Sequence, residues 1–564
     1  MSRLRERANE SPKMSNETIK TDNELKLEKK CFEKQTIENV EYDELLSSAG
    51  EFGKYQILLF LATCPFYLYG VVAYYGQMLL TEVSPKHWCW VPELENLTET
   101  ERIELAIPQD ESGRFRIDQC HQYIANWTHV LVAGLTPDAS WETAPCQNGW
   151  EFDRTGIPYP TISSELGWVC SKSSYQASAQ TISFFGSIFG GLLIGWTSDR
   201  FGRLPALICS CIFGCIGGIA STFAGNFVQF SIFRFIAGFA YDNCMMMAYL
   251  IVLEYVAPRY RSLLSNMAFA IFYCFFCVIL PWIALACRHW KIFSLVTSIP
   301  MGLAVLTPFF LPESPRWLLS KGRVDEAIDK VLTIGRINKK VIPVKLIEQF
   351  KSSTANQQHQ EKVSWLEIFK RPILRKTFII MCLLYMCATL VFDALVRGIG
   401  QIDFNYFVMF TLIAATELPS MLLVAFILDK TGRRWMSAIT MFITCIFTIM
   451  SVFIPSITGS VICAIIARFA VGMTYSAAMQ WTPEVLPTAV RGSGAAVVHI
   501  CGFVATMVSP FIVYSQVYVF WLPSVLIGII AACGGVLALY LPETAAIFKT
   551  TQRILMRFIC IIHA

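Results

Sequence analysis

The sequence has few charged residues for its length. Only 16% of its 564 residues are Asp, Glu, Lys or Arg and 54% are hydrophobic, whereas a soluble chain carries about 25% charged residues. It contains no P-loop, zincin motif or dinucleotide fingerprint, so neither an ATP-driven pump nor an enzyme is indicated. No metal or other cofactor is predicted. The net charge of +4 comes from loops, so no nucleic-acid partner is indicated either, and no obligate protein partner is evident.

Long apolar runs separate the remaining charges. Each run has roughly 20 residues, which as a helix crosses about 30 Å of hydrocarbon. The pattern predicts an all-α membrane protein in a lipid bilayer, with twelve transmembrane helices. The predicted spans are 55–80, 178–197, 204–224, 227–253, 264–287, 292–311, 377–400, 405–428, 435–454, 457–480, 493–514 and 517–540.

The charged residues between the spans repeat along the chain. Matching residues differ in number by 230, and the pairs are Asp199 and Asp429, Arg203 and Arg433, Glu254 and Glu484, Arg261 and Arg491, and Glu313 and Glu543. The chain is therefore predicted to consist of two six-helix pseudo-repeats. Parallel repeats of this size build a large class of secondary transporters.

Lys and Arg are concentrated after the even-numbered spans and in residues 312–376. The positive-inside rule makes that side, and both termini, cytoplasmic. Because the N-terminal tail is polar and of mixed charge, the first span is expected to act as the insertion signal. The predicted organisation is a cytosolic tail (1–50), an N-terminal half (51–311) with an extracellular loop (81–177), a cytosolic linker with amphipathic helices (312–376), a C-terminal half (377–540) and a cytosolic tail (541–564).

The predicted extracellular loop carries two kinds of modification signal. Asn96 and Asn126 begin Asn-X-Thr sequons, which are acceptors for N-linked glycans. Four cysteines fall in the same loop, and an oxidising compartment favours two disulfides. The spacing alone leaves three connectivities open for Cys89, Cys120, Cys146 and Cys170.

Several motifs resemble a known superfamily. The segment GWTSDRFGR at 195–203 and its copy at 425–434 resemble the loop motif of the major facilitator superfamily. Further motifs, at 50–56, 146–153, 165–170, 312–318 and 484–491, narrow the resemblance to the organic cation/anion/carnitine transporters. This family implies the major facilitator fold and a plasma-membrane location. By analogy with it, Cys89 pairs with Cys170 and Cys120 with Cys146.

The repeated charges have a mechanical interpretation. In each half an acid ends the fourth helix of the repeat, and an arginine follows seven residues later. Pairing on the cytoplasmic face would form an ionic latch that favours the outward-open state. The alternative is that the bases only set topology, which leaves the matching acids unexplained. The latch residues are Asp199, Arg203, Glu254, Arg261, Asp429, Arg433, Glu484 and Arg491.

Ionisable residues inside the spans are candidates for the substrate site. Glu417 and Arg468 resemble a family pair and are interpreted as structural and gating rather than as substrate contacts. Asp242 and Asp393 are interpreted as unpaired acids that meet the substrate. The alternative for Asp393 is an internal pair with Arg397, one turn later.

Aromatic residues complete the predicted site. The resemblance implies an aromatic wall of Phe392, Tyr385, Tyr273 and Tyr475, and aromatic faces attract organic cations. The alternative for each ring is ordinary packing. Phe503 occupies the family's charge-selecting position, which carries an acid in cation transporters and a base in anion or carnitine transporters, so this position does not decide the sign.

Together these features predict a polyspecific transporter of organic cations, or of zwitterions bearing an ammonium group. It would work by alternating access, in a facilitated and electrogenic way. One alternative is an anion or carnitine-type transporter that exchanges substrates or uses sodium. A second is a transport-inactive membrane sensor.

Overall fold

The computed structural model describes residues 41–80, 83–109, 117–138, 140–356, 365–370, 372–401, 404–486 and 490–543. Within them, twelve helices are long and apolar enough to cross a membrane, as predicted. They are called spans 1 to 12 in chain order: Lys54–Gly76, Cys170–Phe201, Arg203–Ser221, Phe227–Glu254, Phe269–Cys287, Trp290–Phe309, Pro372–Gly400, Tyr406–Thr431, Arg433–Phe453, Ile457–Val485, Gly494–Val517 and Leu522–Tyr540.

Several spans consist of more than one helix, and the sequence did not indicate these interruptions. Span 4 consists of two helices, Phe227–Gly238 and Asn243–Glu254. Short π-helical stretches occur in spans 1 and 5, at Val72–Leu80 and Phe269–Tyr273, and such stretches are frequent at functional sites. Other breaks give Lys54–Ala62 and Cys64–Val71 in span 1, Pro258–Ala268 before and Cys274–Cys287 within span 5, Trp290–Ser298 and Ile299–Phe309 in span 6, Tyr406–Ala415 and Glu417–Thr431 in span 8, and Arg491–Thr506 and Ser509–Tyr514 in span 11.

Small residues let the spans pack closely. A Cβ on Gly186 of span 2 would lie 2.1 Å from the carbonyl oxygen of Phe235. A Cβ on Gly238 of span 4 would lie 2.2 Å from that of Ser183. Spans 2 and 4 therefore cross at glycines of both helices, where no side chain separates the two backbones. Small residues at such crossings give membrane helices close van der Waals contact.

The segment between spans 1 and 2 folds into a small subdomain. Strand β1 (His87–Cys89) pairs antiparallel with β4 (Trp150–Phe152), and β2 (His121–Tyr123) pairs antiparallel with β3 (Thr143–Pro145). The same segment contains helices Glu99–Ala106, Trp127–Ala133 and Ile162–Glu165. A core of buried residues joins the first two helices to strands β1 and β2, including Trp88, Val91, Leu94, Ile107 and Trp127, whereas Ile162 of the third helix is buried in a cluster with Phe230 and Trp290 of the spans.

Disulfides join Cys89 to Cys146 and Cys120 to Cys170. The pairing expected from the family analogy, Cys89 with Cys170 and Cys120 with Cys146, is therefore wrong. Cys89 ends β1 opposite Trp150, which brings it near Cys146 four residues earlier in the chain. Cys146 and Cys120 are also neighbours, because the Cys146 amide donates to the Cys120 carbonyl at 3.1 Å, but they are not joined by a disulfide. In the two disulfides the Cα atoms lie 5.0 and 5.5 Å apart, within the usual disulfide range.

The linker packs against the start of span 1. It contains helices Pro315–Ser320, Val324–Asn338 and Val344–Asn356, and the middle one buries an apolar face that includes Ile328, Val331 and Ile334. Asn338 bonds the backbone of Tyr55 and the side chain of Gln56, both at 3.0 Å.

A further helix, Tyr42–Ser48, lies where the N-terminal tail was predicted. Most of both predicted tails, 1–40 and 544–564, lies outside the described residues. The face that carries the described residues between 83 and 169 is called the loop face.

Candidate functional site

A central cavity brings together every residue predicted to contact substrate. Its volume is about 80 Å³. The predicted residues lining it are Asp242, Tyr273, Tyr385, Phe392, Asp393, Tyr475 and Phe503. The lining residues not predicted as substrate contacts are Tyr74, Met245, Tyr241, Phe269, Thr389, Glu417, Met421, His499 and Thr506. The aromatic wall is therefore larger than the sequence indicated.

Asp242 lies in the break of span 4. Its φ of +48° is rare for a residue with a side chain, and such strain persists mainly at ligand sites and switches. The side chain is half-buried and borders the cavity. Among the described residues, it has no hydrogen-bonding or ion-pair partner. Interrupted helices near the bilayer midplane frame substrate sites in many transporters.

Asp393 differs from its prediction. Arg397 donates from Nε to the Asp393 carboxylate at 2.6 Å, and the hydroxyls of Tyr74 and Ser509 donate to the same carboxylate. Only 2% of the Asp393 side chain is exposed. The interpretation of Asp393 as an unpaired acid is therefore wrong, and the alternative pair with Arg397 is the observed one.

Glu417 and Arg468 form the predicted ion pair between spans 8 and 10. The Arg468 guanidinium also lies 3.4 Å from the ring centroid of Phe392, and Tyr475 stacks on that ring at 4.9 Å. Phe392 thus packs against the pair besides lining the cavity. Because Glu417 and Asp393 each pair with an arginine, Asp242 is the cavity-lining acid that has no countercharge among the described residues.

Tyrosines and a histidine connect the cavity walls. Tyr241 lies 4.7 Å from Tyr74 and 5.9 Å from Phe503 between ring centroids. The Tyr273 hydroxyl donates to that of Tyr75 at 3.1 Å. The Tyr385 hydroxyl lies 3.2 Å from Nδ1 of His499. Tyr74 and Tyr241 were missed, although Tyr241 adjoins Asp242 in the sequence and could have been found from it.

The latch residues contact one another within each half. Arg203 lies 3.2 Å from Asp199 and 3.4 Å from Glu254. In the other half, Arg433 lies 2.7 Å from Asp429 and 3.1 Å from Glu484. Each cluster joins helices of a single half, so any effect on closure would pass through the packing of that half.

Arg261 has different partners from the ones its spacing suggested. It bonds the carbonyls of Leu253 and Val256 and, at 2.6 Å, the Asp43 carboxylate. Arg316 reaches the same carboxylate. The side chain of Arg491, the matching residue of the second half, lies outside the described residues.

Two carboxylates at the helix starts were not recognised as functional. Glu313 accepts the amides of Arg203 and Leu204 at 2.8 and 3.2 Å. Glu543 accepts those of Arg433 and Arg434, both at 3.0 Å. A carboxylate satisfies the free amides and the positive end of a helix dipole. The recurrence of Glu313 as Glu543, 230 residues later, is the sequence feature that could have identified them.

The two sequon asparagines are exposed on the loop subdomain. Asn126 also caps helix Trp127–Ala133 by accepting the His129 amide at 3.3 Å. Glycosylation at Asn96 and Asn126 remains a prediction.

Comparison with known proteins identifies the family to which this fold belongs. The Major Facilitator Superfamily family model matches residues 152–510 and 398–553. A carcinine transporter of Drosophila melanogaster is 28% identical over 90% of this chain and 77% of its own length. Solute carrier family 22 member 3 of Rattus norvegicus is 27% identical over 90% and 94%, and organic anion transporter 3 of Oryctolagus cuniculus is 26% identical over 89% and 91%.

Solved structures agree on the fold. The inward-open xylose transporter XylE from E. coli aligns with a TM-score of 0.55, at 16% identity, over 86% of this chain and 97% of that one. Three findings agree on the family: the twelve apolar helices, the repeated charged loops and the matched family model. The chain belongs to the major facilitator superfamily, whose members are membrane transporters and not enzymes, and its relatives include a member of solute carrier family 22, an organic cation transporter and an organic anion transporter.

Proposed function

We propose that this chain is a plasma-membrane transporter of small organic cations, or of zwitterions that carry an ammonium group. The observation that carries the proposal is Asp242, whose carboxylate borders the cavity without a countercharge among the described residues. The relatives support transport of an organic ion, but one is named an organic cation transporter and another an organic anion transporter. By the positive-inside rule the loop face is extracellular and both termini are cytoplasmic.

The cavity offers two attractions for an ammonium group. The Asp242 carboxylate supplies charge in a region of low dielectric, where an ion pair is far stronger than in water. The rings of Tyr241, Tyr475 and Phe503 border the same space, and each aromatic face contributes about 0.5–2 kcal/mol to cation binding. Several rings around one carboxylate favour polyspecific binding, because shape is constrained less than charge.

The cavity must enlarge for substrate to enter. Its volume of about 80 Å³ is below the roughly 300–1,000 Å³ of typical ligand sites. Rocking of the two halves would supply the space by alternating access. We propose facilitated, electrogenic movement, in which a monovalent cation gains about 2.3 kcal/mol per 100 mV of inside-negative potential.

The test is uptake in cells that express the chain. A labelled quaternary ammonium, a carnitine-like zwitterion and an aromatic carboxylate are compared, with and without sodium and after depolarisation. Cation uptake should fall on depolarisation and ignore sodium. Asp242→Asn should reduce cation uptake at least about tenfold at equal surface expression. The attraction between carboxylate and ammonium is then lost, and about 1.4 kcal/mol of binding free energy corresponds to tenfold. Asp242→Glu should retain more of the uptake. Carboxylate uptake that Asp242→Asn leaves unchanged would refute the proposal.

A second candidate is anion or carnitine-type transport. It is favoured by Arg397, which borders a second cavity on the loop face together with Gln180, Tyr406 and Tyr514. Arg397 is, however, held by Asp393, and Asp393 rather than Arg397 borders the central cavity. Uptake of the carboxylate that falls in Arg397→Gln and not in Asp242→Asn would establish this candidate instead.

A further inference from the structure

Two cavities lie on opposite sides of one buried polar cluster. The central cavity includes Asp393 in its wall. The second cavity, of about 150 Å³, lies toward the loop face and includes Arg397 and Gln180. Because Asp393 and Arg397 are one helical turn apart on span 7, their ion pair occupies the partition between the two cavities.

Five side chains form this partition, called here the span 7 cluster: Tyr74, Gln180, Asp393, Arg397 and Ser509. All are buried, with at most 8% of each residue exposed. Their contacts divide into two kinds. Ser509 and Arg397 contact Asp393 from within the C-terminal half. The Tyr74 hydroxyl donates to Asp393, and Arg397 donates to Gln180, across the boundary between the halves.

We infer that the span 7 cluster is the gate that closes the central cavity toward the loop face. Tyr74 and Gln180 belong to spans 1 and 2, so their bonds to span 7 break when the halves separate. Asp393 keeps Arg397 and Ser509, which move with it. The buried Asp393 carboxylate therefore keeps its countercharge during opening. Loss of that countercharge would be strongly destabilising.

Neighbouring contacts extend the same seam. The Thr181 hydroxyl donates to the Met507 carbonyl at 3.0 Å, and the hydroxyls of Ser173 and Tyr514 lie 3.2 Å apart. Both join span 2 or its start to span 11. These contacts are between neutral groups, whereas the cluster supplies hydrogen bonds to charged groups, which are roughly twice as strong. The cluster is thus the strongest link described along this seam.

The test measures access to the central cavity from the loop face. Thr389, which borders that cavity, is replaced by Cys as a reporter, and a membrane-impermeant methanethiosulfonate ammonium reagent is added to intact cells. The parent without Thr389→Cys gives the background of the native cysteines. The gate variant is Tyr74→Phe with Gln180→Leu, which removes both contacts between the halves. The matched control is Ser509→Ala, which removes a hydrogen bond to the same carboxylate from within one half.

The gate variant should label about tenfold faster than the reporter alone, since a hydrogen bond to a charged group is worth about that factor or more. Ser509→Ala should label at the reporter's rate. Equal rates in all three proteins, or equal acceleration by Ser509→Ala, would overturn the inference. Surface biotinylation normalises the rates, and Tyr74→Phe alone replaces the double variant if the latter does not reach the surface.

The inference rests on the proposed transport cycle but not on its substrate. Labelling needs no substrate, so the gate can fail while cation uptake stands. Conversely, a chain that moves no tested cation can still show the difference between the gate variant and Ser509→Ala.

Discussion

Gly202 and Gly432 show how single residues fix the helix starts of the two halves. Gly202 has a φ of +119°, and a Cβ there would lie 2.2 Å from Oε2 of Glu313. Gly432 repeats this with a φ of +85° and 2.5 Å to Glu543. A side chain would meet both an unfavourable backbone conformation and the capping carboxylate.

Gly202→Ala should therefore destabilise the folded protein by about 1–3 kcal/mol. Gly195→Ala is the matched control, because Gly195 lies in the same helix end without a positive φ, and a Cβ added there would meet nothing within 4 Å. Alanine is the better helix former there, so stability should hold or rise slightly. Thermal unfolding in detergent compares the two variants, and equal losses would contradict the capping argument.

Asp242 and Asp393 show what a sequence can and cannot give at a single position. Both were found as membrane acids, and both border the cavity. Whether each has a countercharge depends on which neighbours share its level in the bundle. Arg397 was visible four residues from Asp393, but Tyr74 and Ser509 come from distant spans and could not be placed without the fold.

At the scale of helices, Arg203 joins two elements unequally. Its contact with Asp199 joins the start of span 3 to the end of span 2 across Gly202, and the Asp199 side chain is 74% exposed. Its contact with Glu254 joins span 3 to the end of span 4, and that side chain is only 14% exposed. Exposed pairs contribute little to stability, whereas a buried charge that loses its partner is costly.

Glu254→Gln should lower stability by about 1–3 kcal/mol, while Asp199→Asn should change it by less than about 0.5 kcal/mol. Both substitutions remove one negative charge beside the same arginine, so each is the control of the other. Thermal unfolding of the purified variants measures the difference. A larger effect for Asp199→Asn would show that the exposed pair carries the contact.

The helix Tyr42–Ser48 is docked by a charge that responds to pH. Burial acts to raise the pKa of Asp43, but hydrogen bonds and charges from Arg316 and Arg261 outweigh it and hold the pKa below its usual 3.8. A carboxyl with a lowered pKa stabilises the folded state above its unfolded pKa, and this contribution is lost as the pH falls through the folded value.

Docking of this helix should therefore be intact at pH 7 and weaken below about pH 4. Hydrogen exchange of residues 42–48, followed by mass spectrometry and corrected for the intrinsic rate at each pH, measures it. In Asp43→Asn the helix should be less protected at pH 7 and nearly insensitive to pH between 7 and 3. The same acid sensitivity in Asp43→Asn would assign the effect to another group.

At the scale of the molecule, hydropathy and the repeat gave the twelve spans and the two halves correctly. Twelve runs long enough to cross a bilayer leave few alternatives, and charges 230 residues apart divide the chain. The breaks in the spans were not predictable in the same way, because apolar composition continues through the interrupted region of span 4 around Phe239–Tyr241. The aromatic residues were found in part, since rings that line a cavity and rings that face lipid share one composition.

The disulfide pairing of the loop subdomain could not be deduced from the positions of its cysteines in the sequence. With four cysteines close together, the backbone pairing of β1 with β4 and β2 with β3 decides which thiols meet. Non-reducing peptide mapping should recover Cys89 with Cys146 and Cys120 with Cys170. Cys89→Ser with Cys146→Ser should leave one intact disulfide and cost the subdomain about 2–4 kcal/mol. Cys89→Ser with Cys170→Ser should leave two unpaired thiols beside the strands and impair surface delivery more. The reverse order would restore the pairing inferred from the family.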